Sequence, residues 1–321
     1  MTTYHVLVPD SVHPSAVEIL QSAGLSVTAP GQMKRPETLA AVAEADALII
    51  RSATKADAEL LNAAARLKAI ARAGVGVDNV DLNVATQKGI VVMNTPDGNT
   101  VATAEHTFGL MLALARHIPQ AHSSMQAGRW DRKSYMGTEL RGKTLGIVGF
   151  GRIGRAIAKR ALAFEMTVIA HDPYIPLDIA EDFGVELVSL DALFARADFI
   201  SLHSLITDET RHMINKDSLA RMKPGVRIIN AARGALVNEA DLAEAIKSGH
   251  VAGAALDVYG EEPPPPDHPL VGLPNVIDTP HLAASTEEAQ VAVAVEAAHL
   301  IAAALTRGEF KNVVNVEVLK Q

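Results

Sequence analysis

Short apolar runs alternate with helical segments along the first hundred residues. Each run is typical of a buried parallel strand, and the segments between the runs repeat their apolar positions at helical spacing. The predicted strands cover 6–8, 47–50, 67–71 and 91–93, and the predicted helices cover 14–23, 36–44 and 55–64. This alternation indicates a parallel α/β sheet, in which ligands bind at the carboxyl ends of the strands.

The same alternation returns in the second half of the chain and indicates a second parallel sheet. Predicted strands cover 145–148, 167–170, 199–202, 227–230, 252–257 and 276–278, and predicted helices cover 152–164, 239–248 and 286–305. Four consecutive prolines, Pro263–Pro266, exclude regular structure after the strand that ends at Asp257. Residues 312–315 are predicted as a strand or arm that returns to the first domain.

A helix predicted from Asn99 to Arg116 separates the two series. Its apolar residues cover more than one face, which indicates burial on several sides. Such a helix packs between two domains, against another subunit, or against both. Beyond it, Arg129–Arg132 carry the only tryptophan of the chain in a polar setting and are predicted to form an exposed arm.

The stretch from Thr144 to Asp172 carries the most informative motif. Gly149, Gly151 and Gly154 have G-x-G-x-x-G spacing between a predicted strand and a predicted helix. Such glycines allow a tight turn, close approach of the backbone to a pyrophosphate at the helix N-terminus, and close helix packing. Asp172 follows the next strand, where a carboxylate accepts the ribose hydroxyls of NAD and repels the 2′-phosphate of NADP. The alternative is a structural glycine turn with a surface aspartate.

Composition narrows the function further. A chain of 321 residues with 48% hydrophobic residues suits two domains with sizeable cores. The net charge of −8 and the lack of a basic run disfavour nucleic acid as a partner, and the absence of cysteine excludes disulfides and thiolate chemistry. No metal site is predicted. No signal peptide and no uninterrupted apolar run of membrane-spanning length is present, so we expect a soluble, cytoplasmic protein and no membrane partner.

Several polar residues directly follow predicted strands. Arg51 begins such a loop, and Val75 lies between two glycines that would let main-chain N–H groups turn toward an anion. Arg233, Glu262 and His281 follow strands of the second half, whose carboxyl ends face one crevice. Each alone has an ordinary alternative, as a solvated arginine, a surface glutamate or a turn histidine.

Together, Arg233, Glu262 and His281 fit hydride transfer between nicotinamide and a 2-oxo acid. An arginine can hold a substrate carboxylate with two hydrogen bonds and polarise the carbonyl group. A histidine can exchange the hydroxyl proton near neutral pH, and a neighbouring carboxylate raises its pKa.

Six motifs at family order and spacing resemble the D-2-hydroxyacid dehydrogenase family over nearly the whole chain. They are IIRSATK at 49–55, RAGVGVDNVD at 72–81, GRWDRKSYMGTELRGKTLGIVGFGRIG at 128–154, NAARGALVNE at 230–239, LDVYGEEP at 256–263 and TPHLAAST at 279–286. The resemblance implies that Arg233 binds substrate, that His281 is the acid/base and that Glu262 is its partner. Glu262 is preferred to Glu261 because the family's acid directly precedes the first proline.

The resemblance also implies a set of contacts to NAD and to substrate. The implied NAD contacts are Val75, Gly149, Gly151, Arg152, Ile153, Gly154, Asp172, Ser204, Ala231, Asp257, His281 and Ala284. The implied substrate contacts are Arg51, Val75, Gly76, Arg132, Arg233 and His281.

The family fold implies two doubly wound parallel-sheet domains, with a Rossmann NAD-binding domain inserted into a flavodoxin-like substrate domain. The substrate domain would comprise 1–97 and 284–321, and the NAD-binding domain 98–283. The region 98–136 would form a homodimer interface.

Within the family, the chain is most similar to the branch that interconverts 3-phosphoglycerate and phosphohydroxypyruvate in serine biosynthesis. Arg51 is similar to the arginine that meets the substrate phosphate, and Arg132 is a weaker candidate that would reach across subunits. Because the sequence ends soon after Asn315, the C-terminal regulatory domains of many such enzymes, and serine feedback with them, are not expected.

Three alternatives are open at this stage. Glyoxylate/hydroxypyruvate reductases share all the catalytic residues. Formate dehydrogenases pair their histidine with glutamine, so Glu262 disfavours them. NAD-binding transcriptional corepressors share the fold, but this compact acidic chain lacks their extended tail.

Overall fold

The computed structural model describes residues 4–320, which form two compact units. One unit comprises the described residues up to Asn99 together with those from Ser285 onward, and the other is Thr100–Ala284. The strands are β1 His5–Leu7, β2 Ser26–Thr28, β3 Ala47–Ile50, β4 Ala69–Arg72, β5 Val91–Asn94, β6 Thr144–Val148, β7 Thr167–His171, β8 Glu186–Leu187, β9 Phe199–Leu202, β10 Val226–Asn230, β11 Val251–Leu256 and β12 Val276–Asp278.

Helices connect these strands throughout the part of the chain that the structure describes. They are α1 Ser15–Ser22, α2 Arg35–Val42, α3 Ala58–Ala63, α4 Leu82–Gln87, α5 Thr100–Arg116, α6 Ile118–Gln126, α7 Arg152–Ala163, α8 Leu177–Asp182, α9 Leu190–Arg196, α10 Lys216–Ala220, α11 Glu239–Lys247 and α12 Glu287–Arg307. Short 3₁₀ turns occur at Arg132–Tyr135, Gly234–Leu236 and Val316–Lys320.

The first unit contains a parallel five-stranded sheet of order β2-β1-β3-β4-β5. This is the strand order of flavodoxin-like folds. Apolar side chains cover both faces of the sheet, which is why its central strands are almost wholly apolar. The carboxyl ends of β3 and β4 carry the predicted substrate residues Arg51 and Val75.

The second unit contains a parallel seven-stranded sheet of order β12-β11-β10-β9-β6-β7-β8. The order reverses between β6 and β9, as in Rossmann folds, so a dinucleotide crevice is expected beyond these strands. Helices α5 and α7 pack together on one face, where Phe150 and Phe199 are fully buried. The prediction of two doubly wound parallel sheets, Rossmann-like and flavodoxin-like, is confirmed.

Element boundaries differ from the sequence expectations for local reasons. The helix expected from residue 55 begins at Ala58, because the Asp57 side chain accepts the Leu60 N–H and caps it there. Strand β2 was not expected, since its Ser26 and Thr28 are exposed at the sheet edge. Helices α4, α6, α8, α9 and α10 were also not expected; most are a turn or two long and weakly periodic.

Helix α12 is long and apolar enough to cross a membrane by length and composition alone. Its burial explains that composition, because it packs on α1, β3, β4 and β5 of its own unit. Beyond it, Val313 bridges Met93 of β5, and the Asn315 side chain accepts the Val92 N–H, so this segment returns to the first unit as an arm. Trp130, in the predicted arm, is 75% exposed.

Candidate active site

The turn after β6 has the geometry of a phosphate-binding loop. Gly149 has φ +93°, and a Cβ there would lie 2.7 Å from the His203 carbonyl carbon, so the position requires glycine. A Cβ on Gly154 would lie 2.3 Å from the Gly149 oxygen, which shows how closely α7 packs on the turn. A Cβ on Gly151 would meet open space, and the first N–H groups of α7 are available there for a pyrophosphate.

Asp172 follows β7 and closes this loop from its other side. Its Oδ2 accepts the Phe150 N–H at 2.8 Å, and its Oδ1 accepts the Tyr174 N–H at 3.0 Å. The carboxylate is therefore fixed beside the glycine turn, with lone pairs left over for ribose hydroxyls. Tyr174 lies two residues after Asp172, and Leu205 directly follows Ser204; their side chains are 83% and 75% exposed.

Glu262 and His281 form a direct pair. His281 Nδ1 lies 2.7 Å from Glu262 Oε2, and the other carboxylate oxygen accepts the Tyr259 N–H at 3.1 Å. The Glu262 bond leaves Nε2 as the ring nitrogen for a substrate. The backbone of His281 has φ +55°, and its N–H donates to the Asp257 and Thr279 carbonyl oxygens. These bonds fix the backbone position from which the imidazole ring extends.

The pair supports a protonated histidine. The hydrogen bond that His281 donates to Glu262 raises the pKa of His281, against the opposing effects of burial and of the Arg233 charge. Burial alone would raise the pKa of Glu262, but the bonds from His281 and the Tyr259 N–H outweigh it and hold that pKa below its usual range. The contact therefore favours the ionised form of Glu262 and the protonated form of His281.

Asp257, expected as an NAD contact, is a fully buried anchor for the turn that carries His281. Its carboxylate accepts the Leu282 and Ala283 N–H groups, both at 2.8 Å, and the Thr279 hydroxyl at 2.6 Å. His106 of α5 approaches it at 3.2 Å. Burial would raise the pKa of Asp257, but these donors, His106 first, hold it below its usual value.

Arg233 follows β10 on a loop that is built against the Glu262 loop. The Asn230 side chain donates to the Arg233 carbonyl oxygen at 2.8 Å and accepts the Ala232 N–H at 3.1 Å. A Cβ on the next residue, Gly234, would lie 1.9 Å from the Tyr259 carbonyl carbon. The two loops therefore touch through backbone, and Arg233 is near enough for its charge to act on His281.

A cavity of about 470 Å³ opens beside the pair. Glu262 and His281 contribute its polar wall together with Asp278, and apolar walls come from Pro263, Pro264, Val271 and Pro280.

Replacing Glu262 with glutamine is expected to lower the pKa of His281, because it removes the main group that raises it. The ring can be titrated by NMR, with its signals assigned from their loss in His281→Gln. Glu261→Gln, a neighbouring exposed carboxylate, is the matched control and should leave the titration unchanged. The opposite pattern would make Glu261 the partner of His281.

The expected substrate residues of the first unit lie in two well-fixed loops. Arg51 donates its backbone N–H to Asp10, and its carbonyl oxygen accepts from the Asn79 side chain at 2.6 Å. Asn94 donates to the Val75 carbonyl oxygen at 2.7 Å, and Gly76 follows directly. These loops form a second cluster within the first unit.

The remaining expected residues lie in the second unit. Arg152 and Ile153 occupy the first turn of α7, while Ser204, Ala231 and Ala284 follow β9, β10 and the His281 turn. Arg132 is exposed in its 3₁₀ turn, away from regular structure. Among residues 4–320, no group of three or more His, Asp or Glu side chains could hold a metal ion.

Sequence reasoning missed the residues that support the site. Asn230, His106 and Tyr259 act through contacts described above. His203 follows β9 and bonds the Ser201 hydroxyl at 2.7 Å, and burial lowers its pKa, so it is neutral beside the glycine turn. Only Asn230 carries a sequence signal, since it ends a strand directly before the Arg233 loop.

The site combines three features: a Rossmann-type sheet, a glycine turn with its aspartate, and a histidine–glutamate pair beside an arginine. Together they are typical of dinucleotide-dependent dehydrogenases. The family model for the NAD-binding domain of D-isomer-specific 2-hydroxyacid dehydrogenases matches residues 108–283. The chain belongs to this family.

Individual relatives support that assignment. The D-3-phosphoglycerate dehydrogenase of Archaeoglobus fulgidus is 53% identical over 288 residues, 90% of this chain and 55% of that protein. The one from Methanocaldococcus jannaschii is 50% identical over 318 residues, 98% of this chain and 60% of that protein. The chain thus spans somewhat more than half the length of these curated relatives. A crystal structure of a glyoxylate reductase from Paecilomyes thermophila has a TM-score of 0.89 at 32% identity, covering 98% of this chain and 99% of that one.

Proposed function

We propose that the chain transfers a hydride between NAD and a D-2-hydroxy acid or its 2-oxo acid. The observation that carries the proposal is the 2.7 Å contact between His281 and Glu262, next to Arg233 and on the sheet that holds the glycine turn. NAD, when bound, supplies the nicotinamide that accepts or donates the hydride. Gly149, Gly151, Gly154 and Asp172 would hold it, since the turn leaves open space where a pyrophosphate needs it.

The protein's own residues bind the acid and move the proton. Arg233 holds the substrate carboxylate and polarises the neighbouring carbonyl group. During reduction, the His281 imidazolium donates the proton on Nε2 to the carbonyl oxygen; during oxidation, neutral Nε2 takes the hydroxyl proton. Glu262 stabilises the imidazolium and keeps the ring oriented through Nδ1. Activity in reduction should therefore decline as pH rises through the pKa of His281.

Asp172 is proposed to select NAD over NADP. A 2′-phosphate next to this fixed carboxylate would bring like charges together, at a cost of several kcal/mol, so kcat/KM should favour NADH by at least ~10-fold. Asp172→Asn keeps an oxygen for the Phe150 N–H but removes the charge, so it should reduce the preference for NADH over NADPH. Asp178→Asn, on exposed helix α8, is the control. Equal use of NADH and NADPH by the unmodified enzyme would refute this role.

We propose 3-phosphoglycerate and phosphohydroxypyruvate as the substrate pair. The proposal is supported by the names of relatives at 53% and 50% identity and by Arg51, which can meet a phosphate dianion with two parallel hydrogen bonds. Asp10 and Asn79 fix the backbone of Arg51, so little ordering is needed before it binds a phosphate. Arg132 is the weaker phosphate candidate.

Arg51→Ala is expected to weaken the use of phosphohydroxypyruvate by ~10–100-fold, corresponding to one charged hydrogen bond of about 1.5–3 kcal/mol. The contact is remote from the reacting carbon, so the loss should be mainly in KM. Initial rates of NADH oxidation with phosphohydroxypyruvate, hydroxypyruvate and glyoxylate check this, with Lys55→Ala at the exposed end of the same loop as control.

The three substrates give distinct outcomes. Hydroxypyruvate and glyoxylate lack the phosphate and should be nearly indifferent to Arg51→Ala. A parallel loss with all three would assign Arg51 to structure or carboxylate binding. No loss with any of them would favour a glyoxylate/hydroxypyruvate reductase, the second candidate, which the likeness to a glyoxylate reductase supports.

We also propose a homodimer formed through residues 98–136. This region exposes Ile118, Met125, Trp130 and Met136, at 53%, 53%, 75% and 84%, and such a cluster of large apolar side chains is typical of an interface. Light scattering of the parent chain and of Trp130→Glu tests this assembly. A cytoplasmic location is proposed as well, supported by the burial of α12 in its own unit.

A further inference from the structure

A second histidine–carboxylate pair lies behind the catalytic loop, and neither residue has a role in the chemistry above. Glu239 is the first residue of α11, and His268 lies in the loop after the prolines. His268 Nε2 is 3.0 Å from Glu239 Oε2, with the two side chains 5% and 21% exposed. The approach does not have hydrogen-bonding geometry, so the two side chains are in close contact without a hydrogen bond between them.

The Glu239 carboxylate holds the backbone of the catalytic loop. Its Oε1 accepts the Gly260 N–H at 2.8 Å, two residues before Glu262. A Cβ on Gly260 would lie 3.2 Å from Glu239 Oε2, so loop and carboxylate are in close contact. The first turn of a helix also favours an ionised carboxylate, which strengthens its hold on an N–H donor.

The His268 ring supports the same loop from a second direction. It meets the Tyr259 ring edge to face, with centroids 5.3 Å apart. Tyr259 is buried, its hydroxyl donates to Asp278 at 2.6 Å, and its N–H is the donor to Glu262 Oε1. The ring contact therefore acts on the residue that orients the catalytic carboxylate.

One peptide unit connects all these contacts. The peptide between Tyr259 and Gly260 gives its N–H to Glu239 and rests against Gly234, where a Cβ would lie 2.4 Å from the Gly260 nitrogen. Gly234 directly follows Arg233 in the chain, and the Tyr259 N–H donates a hydrogen bond to Glu262. A shift of this peptide would therefore displace the substrate arginine and the partner of His281 together.

We propose that Glu239 and His268 are positioning residues that hold the Tyr259–Glu262 loop so that Glu262 stays in contact with His281. The role rests on the proposed acid/base function of His281. The charged groups that act on His281 are Glu262, Asp257 and Arg233. The ionisable residues that line the cavity at the second pair are Arg211, His212, Glu239 and His268. Neither Glu239 nor His268 is among the groups whose charge acts on His281, so we infer that they act on His281 through the position of the loop.

Four variants separate the contacts. Glu239→Ala removes both the N–H acceptor and the charge, whereas Glu239→Gln keeps an oxygen for Gly260. His268→Phe keeps the ring against Tyr259 but removes its nitrogen. Glu244→Gln, on the same helix, alters an exposed glutamate whose side chain pairs with Lys247, and serves as the matched control.

Glu239→Ala is expected to lower kcat for 2-oxo acid reduction by ~10–100-fold, because small misplacements at a reacting centre have effects of this size. It should also shift the alkaline limb of the pH–rate profile, and the NMR titration of His281, in the same direction as Glu262→Gln but less far. Glu239→Gln and His268→Phe should give smaller shifts, and Glu244→Gln none.

Each result decides the matter. If Glu262→Gln shifts the His281 titration and neither Glu239 variant does, the positioning role is overturned. A lower Tm with unchanged titration and pH profile also overturns it, since the pair would then be scaffold alone. If the His281 titration shifts while the pH–rate profile does not, positioning stands and the acid/base function fails. Glu239→Gln keeps the test open should Glu239→Ala not fold.

Discussion

His281→Ala is expected to lower kcat by ~10²–10⁴-fold, the usual worth of a positioned acid or base, while NADH still binds. The ring is half-exposed and its loss leaves the turn held by Asp257, so the fold should survive. The residual activity should lose the pH dependence that the titration of His281 imposes. Stopped-flow or steady-state reduction of phosphohydroxypyruvate gives kcat, and quenching of NADH fluorescence gives cofactor binding.

His299→Ala is the matched control, because His299 is exposed on α12, in the other unit. It should keep full turnover and the full pH profile. If His281→Ala retained turnover within tenfold of the parent enzyme, the proton would have to come from another group, and the acid/base role of His281 would be refuted.

Asp257→Ala is expected to destabilise the Thr100–Ala284 unit by about 3–5 kcal/mol, because it leaves His106 and two N–H groups without their buried acceptor. For a unit of this size the loss corresponds to a Tm lower by roughly 6–20 °C. Turnover should fall as well, at temperatures where the variant is still folded, because the turn carrying His281 loses its anchor.

The pH dependence of stability has a definite sign at this residue. The pKa of Asp257 lies below its ordinary value of 3.8, so its contribution is present above that pH and is lost as pH falls through the depressed pKa. Tm should therefore fall at low pH in the parent chain and change less in Asp257→Ala. Asp267→Asn, an exposed charge in the proline loop, should leave Tm unchanged; an equally small effect of Asp257→Ala would contradict the anchor role.

Local patterns were sufficient to predict the two parallel α/β sheets. Buried parallel strands are almost wholly apolar, the glycine spacing marks the turn into α7, and both features depend on residues close together in sequence. Edge strand β2 was missed because its exposed polar residues lack that signature. Capping also acts locally, but one residue such as Asp57 moves a helix start by three positions without changing the apolar periodicity.

The site was predictable only in part, because its supporting contacts connect distant positions. Strand ends placed Arg233, Glu262 and His281 in one crevice, and the structure has the last two in contact. Asp257 contacts His106, which lies 151 positions earlier in the chain, and no local sequence pattern predicts that contact. Its carboxylate accepts hydrogen bonds from the Thr279 hydroxyl and from the Leu282 and Ala283 N–H groups, a role that the family resemblance did not indicate.

The interrupted first unit has a consequence for synthesis on the ribosome. Its sheet is translated by Asn99, but the helix that covers that sheet, α12, begins 188 residues later. At about 5–20 residues per second, the nascent sheet waits roughly 10–40 s for its cover, with the side chains that later bury Val293 and Ile301 exposed. The inserted unit is translated in that interval, up to Ala284. The first unit, whose sheet is translated before the inserted unit, is therefore completed after it.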